Sequence, residues 1–215
     1  MDRSDPKRPQ NDGRLRRSER TRQAIVEAYL DLLREKQKPP TAPVIARRAA
    51  CSIRSVFHHF SGLHTLSLAA ANDAFEQALA QAAVPNVDDD LRIRLKAQVE
   101  TGAAICERWL PLWRALLRYE RESRKLAIRI KRIRAAMVAR LELVYRPELS
   151  TLSEAERTQL LVALEILTDF ESWGRMRESL GLSFEAARDI WIIAIGRMLP
   201  TVALKPERST PAASV

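Results

Sequence analysis

Apolar residues recur at steps of three and four along most of the chain, and no run of alternating β-branched residues bounded by turns interrupts them. That period belongs to helices with one buried face, so the pattern predicts an all-α fold. A first helix is expected from about Ser18 to Lys36, with Ile25, Ala28, Tyr29, Leu32 and Leu33 as its core stripe. Lys38-Pro39-Pro40 should stop it, because proline disfavours helix in the residue before it. Two short helices follow between Thr41 and Phe60, then a longer one from about Leu63 to Ala83, broken by Val84-Pro85-Asn86. Asp88 is expected to cap the next segment, whose seam is Leu91, Leu95, Val99, Gly102 and Cys106. Pro111 should begin a fresh helix there, among Trp109, Leu110, Leu112, Trp113, Leu116, Leu117 and Tyr119. Leu126, Ile130, Ile133, Met137, Leu141 and Val144 mark another long helix ended by Arg146-Pro147. Ser153 starts a helix through Leu160, Leu164, Phe170, Trp173 and Met176, closed by Gly181. The last begins at Ser183, and its apolar face is too wide for one neighbour to cover.

The stretch from Thr41 to Leu66, TAPVIARRAACSIRSVFHHFSGLHTL, carries the most chemistry. Thr41 suits an N-cap and Pro43 a first turn, while Val44, Ile45 and Ala49 give that helix one apolar face. Ala50 and Cys51 form a small-residue turn, and Ser52 can cap the second helix. On it, Ile53, Val56, Phe57 and Phe60 are expected to supply the buried side. Arg54, Ser55, His58 and His59 then project outward, a set able to bond phosphates and base edges from within a major groove. This is the pattern of a helix-turn-helix.

From Arg22 to Leu66, about a fifth of the chain, the sequence resembles the DNA-binding domain of the tetracycline-repressor (TetR) family of bacterial transcription regulators. Thr41, Ile45, Ala46, Ala49, Ser52, Phe57, His59 and Phe60 sit at positions of the family pattern. Arg22, Ala24, Ile25, Ala28 and Leu32 resemble its first helix. The turn glycine of the pattern is Ala50 here, for which an ordinary right-handed backbone is expected. A small residue early in the recognition helix is Arg54, and the lysine that opens the next helix is Leu63, with His64 beside it. Phe57 stands where relatives carry a tyrosine whose hydroxyl meets a phosphate, a bond that phenylalanine cannot make. The resemblance implies a homodimeric, small-molecule-responsive repressor, with a phosphate contact at His59. Its DNA-contacting candidates are Thr41, Ser52, Ile53, Arg54, Ser55, Phe57, His58, His59 and His64. The last two helices loosely resemble the family's dimer-forming pair. Cys106, Trp109, Trp113, Leu117, Phe170 and Trp173 are candidates for an apolar ligand pocket, with plain core as the alternative.

Composition agrees with an anionic partner. The 215 residues carry a formal charge of +9, and 14 Lys and Arg against 7 Asp and Glu fall in residues 1–60. The asymmetry places the charge at the proposed DNA-binding end. Arg14, Arg16, Arg17, Arg20 and Arg22 form a basic run that could reach phosphates or a minor groove. Arg124, Lys125, Arg129, Lys131, Arg132 and Arg134 make a second basic face, read as solvated, with a second anion-binding surface as the alternative. The three histidines lie within His58–His64, and adjacent His58 and His59 splay about 100° apart, a poor arrangement for one metal. Cys51 and Cys106 have no metal-ligand spacing, and no Ser-His-Asp grouping or Gly-rich phosphate loop is present, so no cofactor, metal or enzyme activity is expected. No stretch approaches the roughly 18 apolar residues of a membrane span, and no secretory signal opens the chain. The expectation is a cytoplasmic protein. The alternative is a basic membrane-surface or non-specific nucleic-acid-binding helical protein. The expected domains are a disordered arm (1–14), a helix-turn-helix domain (15–84), a helical ligand-binding and dimerisation domain (85–204) and a disordered tail (205–215).

Overall fold

The computed structural model describes residues 11–36, 39–81 and 86–201, which form ten α-helices and no strand. In order these are α1 (Asn11–Lys36), α2 (Ala42–Arg48), α3 (Ile53–His59), α4 (Leu63–Gln81), α5 (Leu91–Tyr119), α6 (Arg124–Val144), α7 (Arg146–Leu149), α8 (Glu154–Leu167), α9 (Phe170–Gly174) and α10 (Phe184–Met198). The described residues divide into two compact units, one within Met1–Ala83 and Ala104–Ala136, the other within Val84–Ala103 and Met137–Val215. Both α5 and α6 therefore contribute one part to each unit.

In the first unit, α1 is the central strut, packing against α2, α3 and α4. Ile25, Val26, Tyr29, Leu32 and Leu33 are buried on it, each side chain contributing about 1.5–3 kcal/mol through the apolar surface removed from water. On α4, which packs against α1, Ala69, Ala70, Ala71 and Ala74 are buried, small side chains that allow close approach of neighbouring helices. Between the two helices the Tyr29 and Ser67 hydroxyls share a buried hydrogen bond of 2.7 Å. Burial pushes the Tyr29 phenol up to about 12. The expected start of α1 near Ser18 is too late. Asn11–Lys36 is one helix, and Arg17 Nε donates to the Gly13 carbonyl at 3.2 Å on its exposed first turns. Residues 11–14, expected to be irregular, are thus helical, while the rest of the arm and the tail from 205 lie outside the described residues.

Three other expectations are corrected. Asp90, not Asp88, starts α5: its carboxylate accepts from the Arg92 N–H at 2.7 Å and its carbonyl from Arg94. Pro111 does not begin a new helix but sits inside α5. Proline removes one helical bond and crowds the preceding turn, yet Trp109, Leu110, Leu112 and Trp113 are all buried around it and hold the helix through. Finally, the segment from Ser153 to Gly181 is interrupted. Thr168 donates its hydroxyl back to the Leu164 carbonyl at 2.8 Å, and Asp169 adopts an extended backbone with its carboxylate accepting from the Phe170 N–H. Short polar side chains that bond the local backbone end helices in this way. After α9 the chain makes one wide turn, Arg175–Ser179, with Leu180 donating to the carbonyl five residues back. Gly181, at φ 65, then reverses the chain into α10.

The second unit is organised around a buried ion pair. Arg94 on α5 and Glu148 on α7 are 3% and 2% exposed. The guanidinium donates to the carboxylate at 2.5 and 3.0 Å and also to the Val144 carbonyl. Beside the pair, Arg140 Nε donates to Gln98 Oε1 at 2.7 Å. The aromatic part of this core is Trp173 on α9 against Trp191 and Phe184 of α10, with ring centroids 4.9 and 5.4 Å apart. Ser153 and Glu156 form a reciprocal capping box at the start of α8, and the Ser153 hydroxyl and N–H, both donating to the Glu156 carboxylate, hold it below its usual range.

Candidate nucleic-acid interface

The helix-turn-helix forms as the sequence predicts, but its turn does not have the backbone expected of it. Ala50 has φ 50, the left-handed conformation that glycine takes most readily. The reason lies in the hydrogen bonds closing α2: Cys51 N–H donates to the Ala46 carbonyl at 3.0 Å and Ala50 N–H to Arg47 at 3.3 Å. This pair of bonds defines a Schellman closure, in which the residue after the cap must be left-handed. The alanine keeps the family-like turn at the expense of local strain.

Ser52 caps α3, accepting from the Ser55 N–H at 3.0 Å, while the two hydroxyls bond each other at 2.9 Å. Thr41 occupies the N-cap position of α2, but its side chain makes no capping bond and is exposed. The seven residues of α3 have one buried direction, filled by Val56, with Phe60 buried just beyond. Ile53 and Phe57, expected on the buried side, are instead 45% and 53% exposed. With 100° between successive residues, Arg54 and His58 form the outermost edge. Ile53 and Phe57 make one flank of that edge, and the half-buried Ser55 and His59 make the other. Arg54 has no ion-pair partner among the described residues.

Behind α3, the Arg22 guanidinium lies over the Phe60 ring at 5.4 Å. The His58 and His59 rings meet edge to face with centroids 5.3 Å apart. His59 titrates below the ordinary histidine range, first through desolvation and then through the neighbouring His58 and Arg22. His64 is half-buried over Gly62, where an added Cβ would stand 3.0 Å from its Nδ1. Leu63 is half-buried too, so the start of α4 presents no cation in place of the family's lysine.

Arg47, which the sequence reading passed over, is an exposed cation in the last turn of α2, again with no ion-pair partner among the described residues. Its neighbour Arg48 is committed elsewhere, bonding both oxygens of Glu35 at 2.7 and 2.8 Å and tying α2 to α1. Their position next to the turn was the available signal. Arg14, Arg16, Arg17 and Arg20 are exposed on the first turns of α1. Of the second basic face, Arg124, Lys125, Lys131, Arg132 and Arg134 are exposed and Arg129 is half-buried, with Arg129 and Arg134 lying over the rings of Phe75 and Trp113.

The ligand candidates do not share one unit. Cys106, Trp109, Trp113 and Leu117 belong to the first, with Trp109 flanked by Arg34 and Arg108 at 5.2 and 4.8 Å. Phe170 and Trp173 belong to the second and are buried in its core. Among the described residues no three His, Cys, Asp or Glu side chains gather as a metal would require, and no helix is long and apolar enough to cross a membrane.

No family model and no curated protein matches the sequence. Solved structures do. A transcriptional regulator from Rhodococcus sp. Rha1 superposes with a TM-score of 0.67 at 19% identity, over 82% of this chain and 95% of that one. A Rhodococcus sp. protein described as a TetR-family transcriptional regulator gives 0.65 at 21% identity, over 83% and 98%. The multidrug binding protein EbrR, complexed with imidazole, gives 0.56 at 16% identity, over 85% and 97%. The architecture and the near-complete coverage agree with the resemblance carried by residues 22–66: this chain has the all-α fold of the TetR-family transcriptional regulators.

Proposed function

We propose that the protein is a cytoplasmic, homodimeric, small-molecule-responsive DNA-binding regulator, acting as a repressor on a near-palindromic operator. Residues 15–84 would read the DNA, and residues 85–204 would serve dimerisation and effector response. The observation that carries the reading is the exposed edge of α3, with Arg54 and His58 presented by a capped, rigidly closed turn. Arginine paired to guanine O6 and N7 is the commonest specific major-groove contact. Thr41, Ser52, Ser55, His59 and His64 would add contacts to phosphates, which fix register without reading sequence. Charge supports the same end of the molecule. Residues 1–83 hold 14 Lys and Arg against 9 Asp and Glu.

Dimerisation is supported by apolar side chains that the chain leaves in water: Val162 and Ile166 on α8, and Ile190 and Ile193 on α10. A two-fold pairing of these helices would bury them and set two α3 helices one DNA turn apart, about 34–36 Å. The effector is argued by analogy, since EbrR is a multidrug binding protein also solved with malachite green. An apolar effector would act by binding the released conformation better than the DNA-bound one.

Selection from random duplex DNA at near-physiological salt, with a non-specific competitor, tests the reading. Enrichment of a near-palindrome is expected. Enrichment of no motif, with binding that collapses as salt rises, would leave only electrostatic attraction.

A further inference from the structure

Ile53 and Phe57 are only partly covered by the fold. Val56 and Phe60 fill the buried direction of α3, while Ile53 and Phe57 lie about half in water on its flank. They are four residues apart, one above the other on the helix, separated by about 6 Å of rise. Next to them on the outer edge is Arg54. The floor of the major groove offers one apolar group to such a pair, the C5-methyl of thymine. We propose that Ile53 and Phe57 read thymine methyl groups in each operator half-site, beside a guanine held by Arg54. The proposal rests on the reading of α3 as a recognition helix and names the bases it selects. The 6 Å rise corresponds to about two base steps of 3.4 Å, so the two side chains meet thymines one or two steps apart. The absence of a phenolic hydroxyl at Phe57 suits a base contact, since this ring has no polar atom to bond a phosphate.

The test uses the full-length protein and the duplex recovered by selection. Each thymine is replaced in turn by deoxyuridine, which deletes the methyl group and leaves every hydrogen-bonding atom in place. One or two positions per half-site are expected to weaken binding by about fourfold each, the worth of one buried methyl. At those positions the effect should vanish in Ile53→Ser or Phe57→Ser, because the partner surface has gone. Both variants should still fold, with Tm lowered only modestly, since each side chain is already about half in water. Uniform indifference of the parent protein to deoxyuridine overturns the proposal without any variant being needed. So does a deoxyuridine effect that persists unchanged in both variants. Failure to recover any motif would strike the regulator reading itself, whereas a motif insensitive to methyl removal would strike only the assignment of Ile53 and Phe57.

Discussion

Replacing Ala50 by glycine should make the protein more stable, although it removes a methyl group and adds chain freedom. Ala50 is held at φ 50 by the two bonds that close α2, and its side chain is exposed, so no packing is lost with the Cβ. A non-glycine residue in the left-handed region costs roughly 1–2 kcal/mol. Glycine removes that cost but raises the entropy of the unfolded chain by about 0.4–1 kcal/mol. The difference is a gain of about 0.5–1 kcal/mol, which for a chain of this size raises Tm by about 1–4 °C. The assay is thermal unfolding followed by circular dichroism, with Ala49→Gly as its partner experiment. Ala49, one residue earlier, has φ −80 and no such strain. Glycine there should cost about 0.5–1 kcal/mol, so the two neighbouring substitutions should move Tm in opposite directions. Equal destabilisation by both would refute the strained-turn argument.

The buried hydroxyl pair gives a second contrast: Tyr29→Phe should cost about 1–2 kcal/mol by orphaning Ser67, while Tyr29→Phe with Ser67→Ala should recover much of it. Urea unfolding would show this, and a double variant no better than the single would count against it. Glu148→Ala should cost about 3–5 kcal/mol, because Arg94 keeps its charge in the core with its carboxylate gone. A loss below 1 kcal/mol in the same assay would mean that the pair is not buried as described. His59 gives a pH dependence of two signs. Its folded pKa is lowered from 6.5, so its neutral form favours folding, and that contribution is lost as pH falls below about 6.5 through the folded value. DNA phosphates favour the protonated ring, so operator affinity should rise as pH falls from 8 towards 6. Fluorescence anisotropy should find the rise diminished in His59→Gln, and an unchanged pH slope would remove His59 from the interface.

Much of the interface was legible because short-range rules decide it. Ser52 caps the helix that follows it, and the buried spacing of Ile25, Tyr29 and Leu33 fixes the face α1 turns inward. The misreadings arose where a local rule met a competing demand. Proline at 111 reads as a helix start, but the burial of Trp109 and Trp113 on either side overrides the lost hydrogen bond. At Asp169 the apolar period runs on through the break, so periodicity concealed a side chain that caps locally. Ala50 carries no glycine signal at all, and its left-handed backbone follows from bonds made by residues 46 and 47. Residue type alone places Ile53 and Phe57 on the buried side. A seven-residue helix has room for one inward direction, and Val56 already occupies it. That error is informative, because exposed apolar residues on a reading surface point to what they would cover.

A recognition helix must read sequence rather than charge alone. The most direct test for α3 is the ratio of dissociation constants for the selected duplex and a scrambled duplex of equal length, measured at 50 and 200 mM salt for the parent and Arg54→Ala. The parent should prefer the selected duplex by a factor on the order of 10³ or more at both salts, as specific readers do. Arg54→Ala should lose about 1–3 kcal/mol of that preference while its binding to the scrambled duplex changes far less. A parent ratio near one, or a preference that survives Arg54→Ala intact, would mean that α3 does not read the operator through Arg54.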